Sequence, residues 1–398
     1  QIFFRRFCMV YDFFLTMGFC FYLTVSNRSH NNTSEPFNKS RVIFYLPRCF
    51  RSIENLAKNV SETRERLQIR CNQSQAVVVT DVANKSVGVF SLNWNDNLEC
   101  LKSFVSTNCY TRKKQVVPNV VHYVSFGRRV FKAESFISVL SAVRFQQPCA
   151  ILFHGPDPPY GPYWVLLQSL VPNLIHVKMA EPTTIFGKAF GFVQHKSDIV
   201  RLEVLNALGG IYLDNDQILV RDVWELQNES FVMSHENRNN LANSMMLARP
   251  GAAFIDLWYK QYRYYNPKKW GYHSTVIPWV LARQNTSLIK IVGNRFVNPD
   301  LTYILRVFKE HYNISTNYGI HLYTRFYPKI PLNLPDVITW NSTLGEVWRT
   351  VLYGKPSMYM CPESPTTVET TSRYDTELYV KRTLENSFVW KAIDVCVP

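Results

Sequence analysis

Between residues 116 and 213 the chain alternates short apolar runs with longer amphipathic stretches, and this alternation restricts the fold more than any other feature of the sequence. Residues 116–123, 150–153, 174–177 and 210–213 read as strands, and residues 134–145, 163–170 and 197–208 read as helices. Strands alternating with helices at this spacing imply βαβ units and a mostly parallel sheet covered on both faces. Ligands of such α/β sheets bind beyond the carboxyl ends of the strands. Before this region, residues 54–70 are charged and helical in character, and residues 76–80 and 87–92 are β-rich.

Composition fits a folded chain with one large core. Of 398 residues, 46% are hydrophobic and 19% charged, with no repeats, which excludes collagen, coiled coil and wholesale disorder. The length accommodates a domain of roughly 250 to 300 residues plus accessory segments. The net charge of +14 attracts phosphates, nucleic acids or acidic membranes and does not choose among them.

The N-terminal text supplies a location. Arg5 and Arg6 precede an apolar run over residues 7–25, interrupted only by Asp12, and a run of this length spans a bilayer as a helix. The positive-inside rule predicts a short cytoplasmic tail and a translocated remainder, the arrangement of a single-pass type II signal anchor. The competing reading is a cleaved signal peptide ending near Thr24-Val25-Ser26, although its apolar core would exceed the usual ~7 to 15 residues. Asn-x-Ser/Thr sequons occur at eleven positions, four of them between Asn27 and Asn38, as in a glycosylated stem. A lumenal chain of this kind has no use for nucleic acid as a partner. Seven cysteines follow the apolar run, and an oxidising compartment favours disulfides among them. Cys149, opening an apolar strand, reads as a buried reduced thiol. No CxxC spacing occurs, which argues against a thiolate zinc site.

The chemistry concentrates in residues 197–216, Ser-Asp-Ile-Val-Arg-Leu-Glu-Val-Leu-Asn-Ala-Leu-Gly-Gly-Ile-Tyr-Leu-Asp-Asn-Asp. Ser197 reads as an N-cap, with Asp198 placed where the helix dipole favours a carboxylate, and Gly209-Gly210 as a positive-φ exit into the next strand. Asp198 and Arg201, three apart, share a helix face. Asp214 and Asp216, two apart, would project to one side of an extended backbone just beyond a strand end. Two hard oxygen donors there suit Mn²⁺ or Mg²⁺ and a diphosphate leaving group. Aromatic residues Trp258, Tyr259 and Tyr262 to Tyr265 read as core by their helical spacing, with stacking on sugar rings as the alternative.

With these residues in view, the segment resembles the family 32 glycosyltransferases, whose sugar-binding region carries S-D-x-x-R followed by G-G-I-Y-L-D-x-D. The resemblance is strong over residues 119–226 and weaker to about residue 323. It implies a GT-A-like, Rossmann-type fold, a nucleotide-sugar donor, a divalent metal and retention of anomeric configuration. Carried over by position, Asp198 and Arg201 would contact the donor sugar or ribose and Asp214 and Asp216 the metal and diphosphate, with Asp214, Asp216 and Arg201 as the catalytic set and Arg201 helping the metal to stabilise the departing diphosphate. His122 and Tyr123 match the opening strand whose end contacts the base, and Asn243 lies in a segment similar to one in the family's acceptor cleft. His321 resembles the histidine of a late V-H-x-W element and would complete the metal shell, with Tyr323 where Trp is common. Residues 270–275, Trp-Gly-Tyr-His-Ser-Thr, lack the Gly-Pro turn of the vertebrate α-1,4 enzymes.

The resulting layout has a cytoplasmic tail over residues 1–6, an anchor over 7–25, a glycosylated stem and accessory region over 26–115, and a catalytic domain over 116–398. The expected protein is a Golgi membrane glycosyltransferase. It would use UDP-galactose or UDP-N-acetylglucosamine ahead of GDP-mannose, because the animal enzymes it resembles use UDP, and a glycan or glycolipid acceptor. Two other readings start from the same residues. A metal-dependent phosphodiesterase or nuclease would use Asp214 and Asp216, but wants more clustered acidic or His ligands. A non-catalytic sugar-binding relative would have less reason to keep the acidic residues.

Overall fold

The computed structural model describes residues 44–46, 71, 76–80, 86–127, 129–171, 173–357 and 366–368. Its strands, in chain order, are β1 (Phe44–Leu46), β2 (Ala76–Thr80), β3 (Ser86–Asn93), β4 (Val120–Val124), β5 (Ala150–Gly155), β6 (Leu174–Lys178), β7 (Thr184–Ile185), β8 (Lys188–Ala189), β9 (Gly210–Leu213), β10 (Gln217–Leu219), β11 (Phe231–Asn237), β12 (Asn240–Ala248), β13 (Lys290–Ile291), β14 (Gly319–His321) and β15 (Thr366–Val368). Nine of them form one sheet in the order β13-β11-β12-β9-β4-β5-β6-β3-β2.

The centre of that sheet is parallel. β9, β4, β5, β6 and β3 run side by side in one direction, and β12 and β2 join antiparallel at the two ends of this block. Every residue of β4 and β5 is buried, as strands covered on both faces should be, including the one histidine that each carries, His122 and His154. One face packs Phe136, Ile137, Leu140, Trp348 and Leu352 against the strands. The other packs Leu101, Phe104, Ile199, Leu202 and Trp258. Each such side chain contributes about 1.5 to 3 kcal/mol by leaving water. Trp258, Tyr262 and Tyr265 are therefore core residues and take no part in sugar stacking, while Tyr264 is exposed.

Three local features depart from the sequence reading. The helix that carries Asp198 spans Val193–Leu208, so it begins a turn before Ser197. His195 in that first turn is buried and lies 2.5 Å from the Tyr265 hydroxyl, and this packing, with no side-chain cap at Phe192, fixes the helix start. Ser197 is accordingly an interior residue whose hydroxyl donates to the Gln194 carbonyl, and Asp198 sits in the second turn. Second, Cys149 is bonded to Cys109, with the two Cα atoms 5.4 Å apart, and Cys71 to Cys100. Cys109 caps the helix Trp94–Asn108 and its carbonyl accepts from the Asn119 backbone N–H, while the Cys149 N–H donates to the Asn119 carbonyl, so one residue at the mouth of β4 brings both cysteines together. Third, β2, β3 and the helix Trp94–Asn108 belong to the main sheet and its cover, so the accessory region of the sequence reading contributes directly to the large core.

Among the described residues no helix is long and apolar enough to cross a membrane. The tail, the anchor over residues 7–25 and the sequons from Asn27 to Asn84 lie outside the described residues.

Candidate active site

The helix Val193–Leu208 ends at Gly209, and Gly210 opens β9; their φ values of +67° and +112° are ones that favour glycine. A Cβ on Gly210 would lie 2.6 Å from the Val120 carbonyl oxygen and 2.8 Å from His122 Nε2, so only glycine lets β9 lie against β4 here. That contact aims the end of β9 at the carboxyl edge of the sheet.

Beyond β9 the chain does not stay extended. The Gln217 N–H donates to the Asp214 carbonyl at 2.9 Å, closing a turn over residues 214–217. Both carboxylates nonetheless reach one cleft of about 800 Å³. β14 then pairs with β10, with His321 opposite Gln217, which carries the imidazole alongside the turn. His321 Nε2 lies 3.1 Å from Asp216 Oδ1 and 3.8 Å from Asp214 Oδ2. One ligand atom from each of Asp214, Asp216 and His321 falls within 4.8 Å of the others. Two carboxylates and one imidazole form a donor set that could hold a divalent cation.

Both carboxylates are held. Asp216 Oδ2 accepts from the Thr324 N–H at 2.8 Å and the Thr324 hydroxyl at 2.9 Å. Tyr212, on the same face of β9 as Asp214, donates its hydroxyl to Asp214 Oδ1 at 2.6 Å. Burial opposes a charge on Asp216, but His321 and Thr324 hold its carboxyl well below the usual carboxylate range. Burial likewise opposes a charged His321, and the Asp216 and Asp214 carboxylates override it and raise its pKa.

Arg201 and Asp198 form the inner wall. Arg201 is buried, and its guanidinium sits 3.4 Å from Asp198 and 3.3 Å from Asp214. It also donates to the Asn243 carbonyl at 2.7 Å and to the Ser197 hydroxyl and carbonyl. With its donors used inside the protein, Arg201 is a positioning residue that braces two carboxylates. Burial works against its charge, and Asp214 and Asp198 more than restore it. Asn243 donates to Asp198 Oδ1 at 2.8 Å. Burial pushes the Asp198 carboxyl up to about 6, Arg201 pulling against it and Asp214 adding to it.

The structure thus brings Asp198, Arg201, Asp214, Asp216, Asn243 and His321 to one cleft. His122 and Tyr123 are elsewhere: both are fully buried within β4, where alternation and the covering helices turn them into the two cores. His122 donates to the Gly209 carbonyl and packs on His154, and Tyr123 stacks on Phe153. The residues that follow, Val124, Ser125 and Phe126, line the cleft in their place. Sequence reading also missed Tyr212, Thr324, and the cleft carboxylates Glu134 and Glu236, whose pKa values burial raises. Tyr212 was detectable, since it lies two residues before Asp214 on a strand.

Comparison with known proteins follows the same residues. Residues 162–236 match the glycosyltransferase sugar-binding region containing DXD motif. The matched segment holds Asp198, Arg201, Asp214 and Asp216. Glucan organizing enzyme 1 of Cryptococcus neoformans var. grubii is 29% identical over 202 residues, 46% of this chain and 54% of the fungal protein. The chain thus spans about half the length of that curated relative. Among solved structures, the PaToxG glycosyltransferase aligns over 67% of this chain and 88% of its own at 12% identity and a TM-score of 0.32. The glycosyltransferase GlyE of Streptococcus pneumoniae TIGR4 aligns over 58% and 59%, at 14% identity and a TM-score of 0.34. Mouse xyloside xylosyltransferase 1 aligns over 65% and 99%, at 9% identity and a TM-score of 0.31.

Proposed function

We propose that this chain is a metal-dependent, retaining glycosyltransferase that moves a hexose or N-acetylhexosamine from a UDP-sugar to a hydroxyl of a glycan or glycolipid. The observation that carries the reading is the convergence of Asp214, Asp216 and His321 at the carboxyl edge of a parallel sheet, within the segment that matches the DXD sugar-binding region. A divalent cation held by these three residues, Mn²⁺ or Mg²⁺, would supply positive charge to a departing diphosphate. The protein's own residues do the rest. Thr324 and Tyr212 fix the orientation of the two carboxylates, so no reorganisation is needed when the donor arrives. Arg201 keeps Asp198 and Asp214 apart and neutralised in a buried setting, and Asp198, steadied by Asn243, presents its remaining acceptor capacity toward donor sugar or ribose hydroxyls. For retention, Glu134 and Glu236 give the cleft two carboxylates outside the metal set.

The Golgi membrane is the proposed site of action, with the catalytic part lumenal behind a type II anchor. The apolar segment over residues 7–25 with its preceding arginines, the sequons, and the Cys71–Cys100 and Cys109–Cys149 bonds support this placement. The test is a donor panel: UDP-galactose, UDP-N-acetylglucosamine, UDP-glucose and GDP-mannose incubated with the lumenal part and Mn²⁺. Release of UDP from one of the UDP-sugars is expected, with the product anomer read by NMR. Tighter binding of GDP than of UDP would overturn the donor class.

A further inference from the structure

Among the described residues nine large apolar side chains are exposed, and five of them fall within two short segments, residues 183–192 and 263–272. The two segments form one surface. Lys188 Nζ donates to the Arg263 and Tyr265 carbonyls at 2.9 and 3.2 Å, and the Gly191 N–H donates to the Tyr265 hydroxyl at 3.1 Å. Phe192 meets Trp270 edge-on with ring centroids 5.0 Å apart.

Phe186 stands at the tip of a two-residue hairpin. β7 and β8 pair Ile185 with Lys188, and Phe186 and Gly187 between them have φ values of +47° and +76°. A turn with both central residues left-handed takes Asn, Asp or Gly readily, and a bulky side chain is disfavoured there by its own backbone. Phe186 meets Tyr259 edge-on and lies beside the Arg263 guanidinium, yet it remains 45% exposed, with Tyr264 at 75%. An unfavourable backbone position thus carries an apolar ring out into water.

The charge on this surface has one sign. The two segments contain Lys188, Arg263, Lys268 and Lys269 and no Asp or Glu. Among the described residues no carboxylate lies at ion-pair distance from these four cations, and Glu181, just before the first segment, is taken by Lys196. Exposed aromatic rings with free lysines suit the headgroup layer of a bilayer, where rings sit at the boundary of polar and apolar and ammonium groups meet anionic headgroups. Protein interfaces are instead depleted of lysine, and three of these four cations are lysines. Neither segment holds an Asn-x-Ser/Thr sequon, so no N-glycan would keep this surface away from a membrane.

We infer that residues 183–192 and 263–272 form a membrane-docking surface whose occupant is a bilayer bearing anionic headgroups, whatever reaction the cleft performs. Trp270 belongs to both this surface and the cleft wall, so docking sets the cleft beside the lipid. The experiment is hydrogen exchange by mass spectrometry on the full chain, with vesicles of phosphatidylcholine alone or of phosphatidylcholine and phosphatidylserine. Peptides covering the two segments should exchange about threefold or more slowly with phosphatidylserine present than with phosphatidylcholine alone. Phe186→Asn, which suits the left-handed turn, and the double change Lys268→Gln with Lys269→Gln should each abolish that difference, while β4 and β5 keep wild-type exchange. The inference is overturned by equal exchange with the two kinds of vesicle or by protection that survives both variants. Protection without lipid that grows with protein concentration would also overturn it and assign the surface to a second copy of the chain.

Discussion

His321 stands 3.1 Å from Asp216 although 104 residues separate them in the chain between, and the β10–β14 ladder is what joins them. The pairing of Gln217 with His321 turns a two-carboxylate turn into a three-ligand cluster. Asp216 is therefore both a candidate metal ligand and a structural anchor, accepting from Thr324 on one oxygen and facing His321 on the other.

This double role sets the expected behaviour of Asp216→Asn without metal. The carboxyl is held below its usual range, so its contribution to stability is present above the unfolded value near 3.9 and is lost as pH falls toward the lower folded value. At neutral pH, Asp216→Asn should lower stability by about 1 to 3 kcal/mol, read by denaturant unfolding in a chelator. Unchanged stability would mean that the His321 and Thr324 contacts contribute nothing to the fold.

Arg201→Ala should be more damaging to the fold than to any one ligand contact. It removes the partner of Asp198 and Asp214 in a buried setting, a change that costs about 3 to 5 kcal/mol where a buried pair is broken. Arg201→Lys keeps the charge without the fork and should fall between. Circular dichroism melts of the two variants against wild type would show the ranking, and equal melting temperatures for all three would refute the bracing role.

Three buried histidines give the fold an acid limit. His122 donates to Gly209 and accepts from His154, and His176 donates to Gly155 and accepts from Ser91, so each is held neutral. Burial lowers His122 and His176 to about 4, and His154 is lowered as well. Unfolded histidines gain a proton near pH 6.5, so stability should be full above that pH and fall as pH drops toward 4. His122 and His176 together give a slope of up to about 2.7 kcal/mol per pH unit. His176→Gln should flatten the profile measured by urea unfolding from pH 7 to 4.5.

Cys149→Ser, or reduction of the folded protein, should cost about 2 to 4 kcal/mol by releasing a loop of 40 residues in the unfolded chain. Non-reducing peptide mapping would check the Cys109–Cys149 bond directly, and a free thiol at Cys149 would contradict it.

Much of the frame was legible before the structure, for identifiable reasons. Residues 150–153 are apolar without alternation and residues 174–177 are broken only by His176, which marks strands covered on both faces, and Gly209-Gly210 marks a place where a helix turns directly into a strand. Asp198 and Arg201 are neighbours by helical spacing alone. Long-range features were not legible. Thr324 reaches Asp216 only through the β10–β14 pairing, and the packing of Arg325 over the Trp270 ring needs two distant loops to meet. Ser197 was misread as a cap because a buried contact between His195 and Tyr265 extends the helix past the local signal. Cys149 was misread because burial alone does not tell a thiol from a half-cystine.

The most direct test of the account compares wild type and Asp216→Asn in one assay, measuring nucleotide released from UDP-sugars across a Mn²⁺ titration. Wild type should release UDP in a saturable, Mn²⁺-dependent manner that a chelator abolishes, and Asp216→Asn should fall by about 100-fold or more at every Mn²⁺ concentration. Asp216→Asn turning over donor with unchanged Mn²⁺ dependence would contradict the assignment of the Asp214, Asp216 and His321 cluster.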